Sequence, residues 1–380
     1  MKAPSLPTED SGPSDQLRPA DRYHPQPAPS HTSPSKTDAG LATPRRREIY
    51  PGSPDLSSVV AGDGETWEHF AKTLAPDYRA VWRDAVRCYA MLAAGAAAHL
   101  WLVTAAGERR GLAAVPLLTL WLGFWFASLM LLVHEAAHFN VHPDKATNDR
   151  LANYLLGAVV GEEIARYRAV HWQHHLRLGT LEDTEVSYRR APTPALLLQT
   201  LTGIPILRVL RARTRQAATS GGAERPLPAA YPALVRFAAL HGCIVLVMLG
   251  FGHWSTALGW LTGLVMGYPF WGSLRKILEH RSFDARLDAD YAQVAHGPVN
   301  RLFGSDVFSR MFGYAGFNRH LLHHWYPQAS YTRFDDYEAF LMRTELAAAV
   351  NAARTTYWRA FRQLQSPPSE AGLSRMRVRP

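Results

Sequence analysis

The apolar residues of this 380-residue chain gather into a few long runs, and those runs limit what it can fold into more than any other feature. Four are expected to span a membrane, at about residues 86–106, 112–133, 237–251 and 256–274. A helix needs roughly 20 apolar residues to cross a hydrocarbon core. The motif GERRG joins the first pair and a very short link around His253 joins the second, so the runs read as two helical hairpins. Gly267 and Pro269 are expected to kink the fourth. The mean hydropathy of −0.16 hides this pattern because polar ends dilute the runs. The fold class is therefore an all-α integral membrane protein with about four transmembrane helices.

The formal charge is +9, and its distribution matters more than its size. Arg109 and Arg110 stand in the first hairpin tip and no cation in the second, whereas residues 134–231 carry twelve Arg and Lys. Cations mark the cytoplasmic side of a membrane protein, so the tips face out and both termini and the central segment face the cytoplasm. No nucleic-acid-reading motif accompanies the charge, which sets nucleic acid aside as a partner. With only Cys88 and Cys243, both in or beside apolar runs, neither a disulfide framework nor a thiolate zinc site fits.

Residues 1–53 are rich in Pro, Ser, Thr and Asp and read as a disordered tail without a secretory signal. Residues 54–84 read as an amphipathic segment on the membrane surface, because aromatic and charged residues recur at helical spacing from Thr66. The stretches ANYLLGAVVG and ALLLQTLTGIPILRVL are too short or interrupted for spans and read as re-entrant or interfacial helices. Residues 346–380 read as a C-terminal helix and tail.

Three histidine clusters lie on the side assigned to the cytoplasm: His134 and His138 in HEAAH, His171, His174 and His175 in HWQHH, and His320, His323 and His324 in HLLHH. Residues three or four apart share a helix face, so each cluster is expected to aim its imidazoles at a single point. Imidazole suits first-row metals, and eight ligands exceed what one ion takes, which implies two ions or two sites. His280, just past the fourth run, would arrive at a similar height and completes a set of nine. His142 continues the spacing, but Pro143 ends the helix there. His99 and His241 lie inside spans and are expected to make one helix-to-helix hydrogen bond each.

These residues resemble the membrane fatty acid desaturase family, whose pattern is H-x-x-x-H, then H-x-x-H-H, then N-x-H-x-x-H-H-x-x-P, the last matched by NRHLLHHWYP. The likeness covers about residues 85–345 and includes LEDTE after the second box and the Glu-His of RKILEH. It implies two iron ions held mainly by histidine, O2 as co-substrate, an acyl-lipid substrate in a kinked channel, and a helical cytoplasmic cap carrying the boxes. Asp183, Glu185, Glu279 and Asn318 would contact and orient the imidazoles. HPDK at His142 lacks the H-P-G-G pattern of a fused cytochrome domain, so electrons are expected from a separate ferredoxin-like or cytochrome donor. Ala- and Arg-rich usage points to a bacterial inner membrane.

Two other classes compete. HEAAH fits the H-E-x-x-H of a membrane metalloprotease with Glu135 as general base, but this leaves six box histidines unexplained. A metal transporter or haem-binding protein should place polar residues deep in several spans, whereas these cluster at one face. Within the family, a hydroxylase or epoxidase acting on a lipid or carotenoid is the alternative to a desaturase. Arg319 and Trp325 depart from the residues usual at their positions and are expected to alter the channel mouth.

Overall fold

The computed structural model of the protein describes residues 53–180, 183–185, 188, 191–202, 204, 231–281 and 300–365. The expected N-terminal tail up to residue 52, residues 203 and 205–210 of the second interfacial stretch and residues 366–380 lie outside these. Every regular element among the described residues is helical; pairing of the β type is limited to two isolated bridges.

In chain order the helices are α1 (Trp67–Ala71), α2 (Tyr78–Ala106), α3 (Glu108–Ala137), α4 (Lys145–Leu151), α5 (Ala158–Val160), α6 (Ile164–Arg177), α7 (Pro194–Thr200) and α8 (Tyr231–Gly250). There follow α9 (Trp254–Thr262), α10 (Tyr268–His280), α11 (Val307–Phe312), α12 (His320–Trp325), α13 (Phe334–Leu341), α14 (Ala347–Ala352) and α15 (Tyr357–Gln365). π-Helical turns at Ala152–Gly157 and Gly263–Gly267 join α4 to α5 and α9 to α10.

Among the described residues three helices, α2, α3 and α8, are long and apolar enough to cross a membrane. Burial ranks them: 61% of the apolar window of α3 is buried, against 28% and 17% for α2 and α8, so α3 is the central post of the bundle. Asp77 starts α2 by accepting the Ala80 N–H at 3.1 Å, a side-chain cap on an otherwise orphaned donor. Gly107 alone reverses the chain, with φ at 82°, a conformation that costs a residue without Cβ little. The GERRG motif therefore belongs largely to α3, which begins at Glu108 rather than near residue 112.

The fourth run is helical from Trp254 to His280 but is broken at Gly263–Gly267. Pro269 cannot donate to a carbonyl in the preceding turn, and the π turn absorbs the lost bond where the sequence places a kink. The π turn also lies hard against α3: a Cβ at Gly123 would come within 2.3 Å of the Gly267 carbonyl carbon. Nearer the first hairpin tip, His99 joins α2 to α9 and α3, its ring nitrogens 2.9 Å from Thr256 Oγ1 and 2.9 Å from the Gly111 carbonyl. His241 likewise meets the Val159 carbonyl and the Trp260 indole N–H. Each ring thus makes two bonds where one was expected, and neither lies in the histidine clusters.

The segment expected on the membrane surface is instead built into the protein. Trp67 and Phe70 of α1 are buried against Tyr326, Tyr337 and Phe340, and Pro76 separates them from the remainder of the pattern, which is the first part of α2. The aromatics that gave the segment its amphipathic spacing bury themselves behind the third histidine box. ANYLLGAVVG forms the π turn and α5, with Ala152, Leu156 and Val159 packed into the core beside α3.

Candidate metal centre

The first box closes α3: His134 is in its last turn and His138 caps it. The second box occupies the last two turns of α6, His280 is the last residue of α10, and the third box is α12 itself. All nine histidines are buried. His134, His138, His171, His175 and His323 present ring nitrogens that all lie within 4.8 Å of one another, close enough to share an ion. His174, His280 and His324 form a second such group, and His320 joins it with its Nε2 2.8 Å from that of His280 and 3.1 Å from that of His324.

The boxes do not each aim at one point. At 3.6 residues per turn, vicinal side chains diverge by about 100°, so the paired histidines of HWQHH and HLLHH face different clusters. On α6 the i, i+4 pair His171 and His175 turns to the first cluster and His174 to the second. On α12 the sense is reversed: His320 and His324 turn to the second, His323 to the first. Each H-x-x-H-H box therefore bridges the clusters, while His134 and His138 serve one and His280 the other.

The spacing suits a metal. Nε2 atoms stand 3.0 Å apart between His138 and His171, 2.9 Å between His171 and His175, 2.9 Å between His175 and His323, and 3.3 Å between His174 and His280. Two nitrogens each about 2.1 Å from one ion and at right angles are separated by about 3.0 Å. Both ring nitrogens of buried His134 lack a hydrogen-bond partner, a cost that a coordinated ion would remove. Burial and the neighbouring rings hold His323 and His324 well below the usual imidazole range, which keeps them neutral with lone pairs free.

Two carboxylates orient rings from behind. Asp183 Oδ1 accepts from His174 Nδ1 at 2.9 Å, and its other oxygen accepts from Tyr188 at 2.7 Å. Burial opposes ionisation of Asp183, but the His174 ring and its hydrogen bonds outweigh this and hold it below the usual range. An ionised Asp183 requires the proton on Nδ1 of His174, which leaves Nε2 to face inward. Glu185 lies 3.5 Å from His171 Nδ1 and is ion-paired to Lys276 at 2.7 Å.

The other two expected contacts are not made. The Asn318 amide donates to the Gly304 carbonyl at 3.1 Å, and its own carbonyl accepts from Phe303, so it braces the chain before the third box. Glu279 is buried with Oε1 unpartnered, one turn from Arg275 on the face of α10 turned away from the rings that His280 meets. Arg319 is ion-paired to Asp335 and Glu338, and Trp325 is packed in the core with Leu321 and Tyr337, so packing accounts for both departures. His142 lies outside both clusters; its ring bonds to the Asp144 backbone and lies beside that of Tyr78.

One important residue escaped the sequence. Arg168 donates from Nε to the Ala137 carbonyl at 2.8 Å, satisfying an orphan acceptor at the end of α3, and from Nη2 at 3.3 Å to that of Ala136, which also accepts from Asn148. It also pairs with Asp149 and stacks over Phe139, whose φ is +63°. Its place on the His171 and His175 face of α6, at i−3 and i−7, was the available signal.

The fatty acid desaturase profile matches residues 110–358, well over half of the chain and all nine histidines. The chain belongs to the fatty acid desaturase family. Among curated proteins none matches it significantly. Membership implies an oxidoreductase and accords with histidine clusters able to hold metal. It also answers the metalloprotease reading: Glu135 Oε2 is engaged by Asn140, Ser330 and the Tyr331 N–H, and His134 and His138 share their cluster with three further imidazoles.

Proposed function

We propose that this desaturase-family protein uses O2 and two iron ions to introduce a C=C double bond into a lipid acyl chain. The observation that carries the reading is the division of nine buried imidazoles into adjoining groups of five and four, bridged by the two H-x-x-H-H boxes. Imidazole is a natural ligand for iron. In this reading His134, His138, His171, His175 and His323 hold one iron, and His174, His280, His320 and His324 hold the other.

When bound, the iron pair supplies an oxidant able to remove hydrogen from an unactivated methylene, and the protein supplies binding, orientation and exclusion of water. Asp183 and Glu185 keep the Nδ1 protons of His174 and His171 outward. Burial of all nine rings keeps bulk water off the centre. Each turnover consumes O2, two electrons and two protons, takes two hydrogens from adjacent carbons and releases two waters. The electrons come from a separate ferredoxin-like or cytochrome partner.

The kinked α9–α10 path serves as the fourth span beside α2, α3 and α8, with both termini and all the boxes at the cytoplasmic face of a bacterial inner membrane. The excess of cations in residues 134–231 over the hairpin tips supports this sidedness. A reporter fused after Gln365 should be cytoplasmic; activity of that reporter outside the membrane would reverse the topology. The product is tested by feeding a deuterated saturated acyl chain to cells that express the protein with a compatible reductase. Loss of two deuteriums is expected. Loss of one, with gain of an oxygen atom from labelled O2, would make the protein a hydroxylase.

A further inference from the structure

Two short helices beside the centre carry an apolar face that nothing among the described residues covers. On α11, Ser309 and Phe312 point inward, while Val307, Phe308 and Met311, on the opposite side, are 84%, 56% and 47% exposed. On α15, Tyr357, Ala360 and Leu364 point inward and Trp358 is 67% exposed, stacked on Phe361. The faces adjoin, since the Phe308 ring meets that of Tyr357 edge-on at 6.4 Å.

Their depth follows from the bundle. Phe312 packs on Trp271 at 6.0 Å, and Trp271 packs edge-on to Phe124 of α3 at 5.5 Å. One turn further, Arg275 donates to Ser128 at 3.1 Å. Ser128 lies about 30 Å along α3 from the Gly107 tip at about 1.5 Å per residue, and a hydrocarbon core is about 30 Å thick. The uncovered face therefore stands at the level where α3 leaves the apolar core. Arg359 and Arg362 are exposed on α15, and Arg310 is exposed on α11. A cationic rim beside an apolar face at that depth matches an anionic lipid surface.

We propose that α11 and α15 form a foot that lies in the headgroup boundary of an anionic leaflet, with Val307, Phe308, Met311 and Trp358 dipped among the acyl chains. The proposal rests on the membrane-spanning reading of the bundle. Because α11 leads directly into the third box, the foot fixes the height of α12 over the membrane.

The test uses the full chain in vesicles of phosphatidylcholine and phosphatidylglycerol, with exposed Cys243 replaced by Ser and buried Cys88 retained. An environment-sensitive fluorophore is placed in turn on Val307→Cys, Trp358→Cys, Leu246→Cys and Glu68→Cys. Leu246 is an exposed residue of candidate span α8, and Glu68 is exposed on α1. Labels at 307 and 358 should lose about half of their emission to lipids brominated high on the acyl chain, as a group at the interface would, while the Glu68 label responds only to aqueous iodide. Val307 and Trp358 labels that behave like the Glu68 label, with the Leu246 label quenched by lipid, overturn the foot alone. Failure of the Leu246 label as well overturns the spanning reading with it. Protection that grows with protein density rather than with lipid assigns the face to a second copy and also overturns the proposal. Quenching unchanged by omission of phosphatidylglycerol, or by Arg359→Gln with Arg362→Gln, overturns the anionic preference.

Discussion

His280 and His320, forty positions apart in the chain, bring their Nε2 atoms to 2.8 Å. One closes α10 and the other opens α12, so the second cluster exists only when those helix ends meet. On the proposed two-iron reading, His280→Ala or His320→Ala should cut bound iron from two per chain to one or none and abolish activity, as measured by elemental analysis and assay of purified protein. His134→Ala or His323→Ala should do the same through the first cluster. Two full equivalents of iron in the His280 variant would remove it from the ligand set.

Asp183 and Glu185 stand behind His174 and His171, and loss of such partners typically costs 10–100-fold in metal affinity. Asp183→Asn should fall in that range, since its contact with His174 is a 2.9 Å hydrogen bond in a buried setting. Glu185→Gln should cost less, because its contact with His171 is 3.5 Å and it also serves Lys276. Competition with a chelator orders the two; equal affinities in both variants and the wild type would refute the orienting role.

The histidine clusters were legible in the sequence because imidazoles three and four apart on helices need no tertiary information to be recognised as candidate ligands. Their partition was not, since it depends on how α6 and α12 are rotated toward each other, and that is set by packing elsewhere. Glu279 shows the same limit: its neighbour His280 turns to the second histidine cluster, yet a step of one residue rotates Glu279 by about 100°, toward Arg275. The hairpins were legible from run length, whereas the fate of Trp67 and Phe70 was not. An amphipathic pattern fits a membrane surface and a protein core equally, and the aromatic partners that decide it, Tyr326, Tyr337 and Phe340, lie far along the chain.

Arg168 links the second box to the end of the first, and its removal takes the donor from the Ala137 carbonyl, whereas that of Ala136 keeps Asn148 and the Phe139 N–H. Arg168→Met should destabilise the protein by about 1–3 kcal/mol, the cost of leaving buried polar groups unpaired, and should lower metal occupancy because His138 follows Ala137 directly. Lys at this position reaches one carbonyl but cannot also fork to Asp149, so Arg168→Lys should fall between the two. Thermal unfolding in detergent, with iron content measured in parallel, checks both. A methionine variant as stable as the wild type would show that water serves the Ala137 carbonyl equally well.

The contact of α3 with the π turn sets where α10 ends and so where His280 stands. At Gly123 a Cβ would lie 2.3 Å from the Gly267 carbonyl carbon, and at Gly267 one would lie 2.2 Å from the Thr119 carbonyl oxygen. Both obstacles are backbone, which cannot rotate aside as a side chain can. Gly123→Ala should therefore cost about 1–3 kcal/mol, in the range of overpacked cores, and Gly123→Val should prevent recovery of folded protein. Gly242 provides the contrast, since it is also within a candidate span, α8, but a Cβ there meets nothing within 4 Å. Gly242→Ala should be neutral or stabilising by up to about 1 kcal/mol, the helix-propensity difference. Melting temperatures of the two alanine variants, with iron stoichiometry as the second readout, separate a general intolerance of bulk in the spans from the specific approach of Gly123 to Gly267. If both variants melt alike, the approach of the two backbones does not set the position of α10.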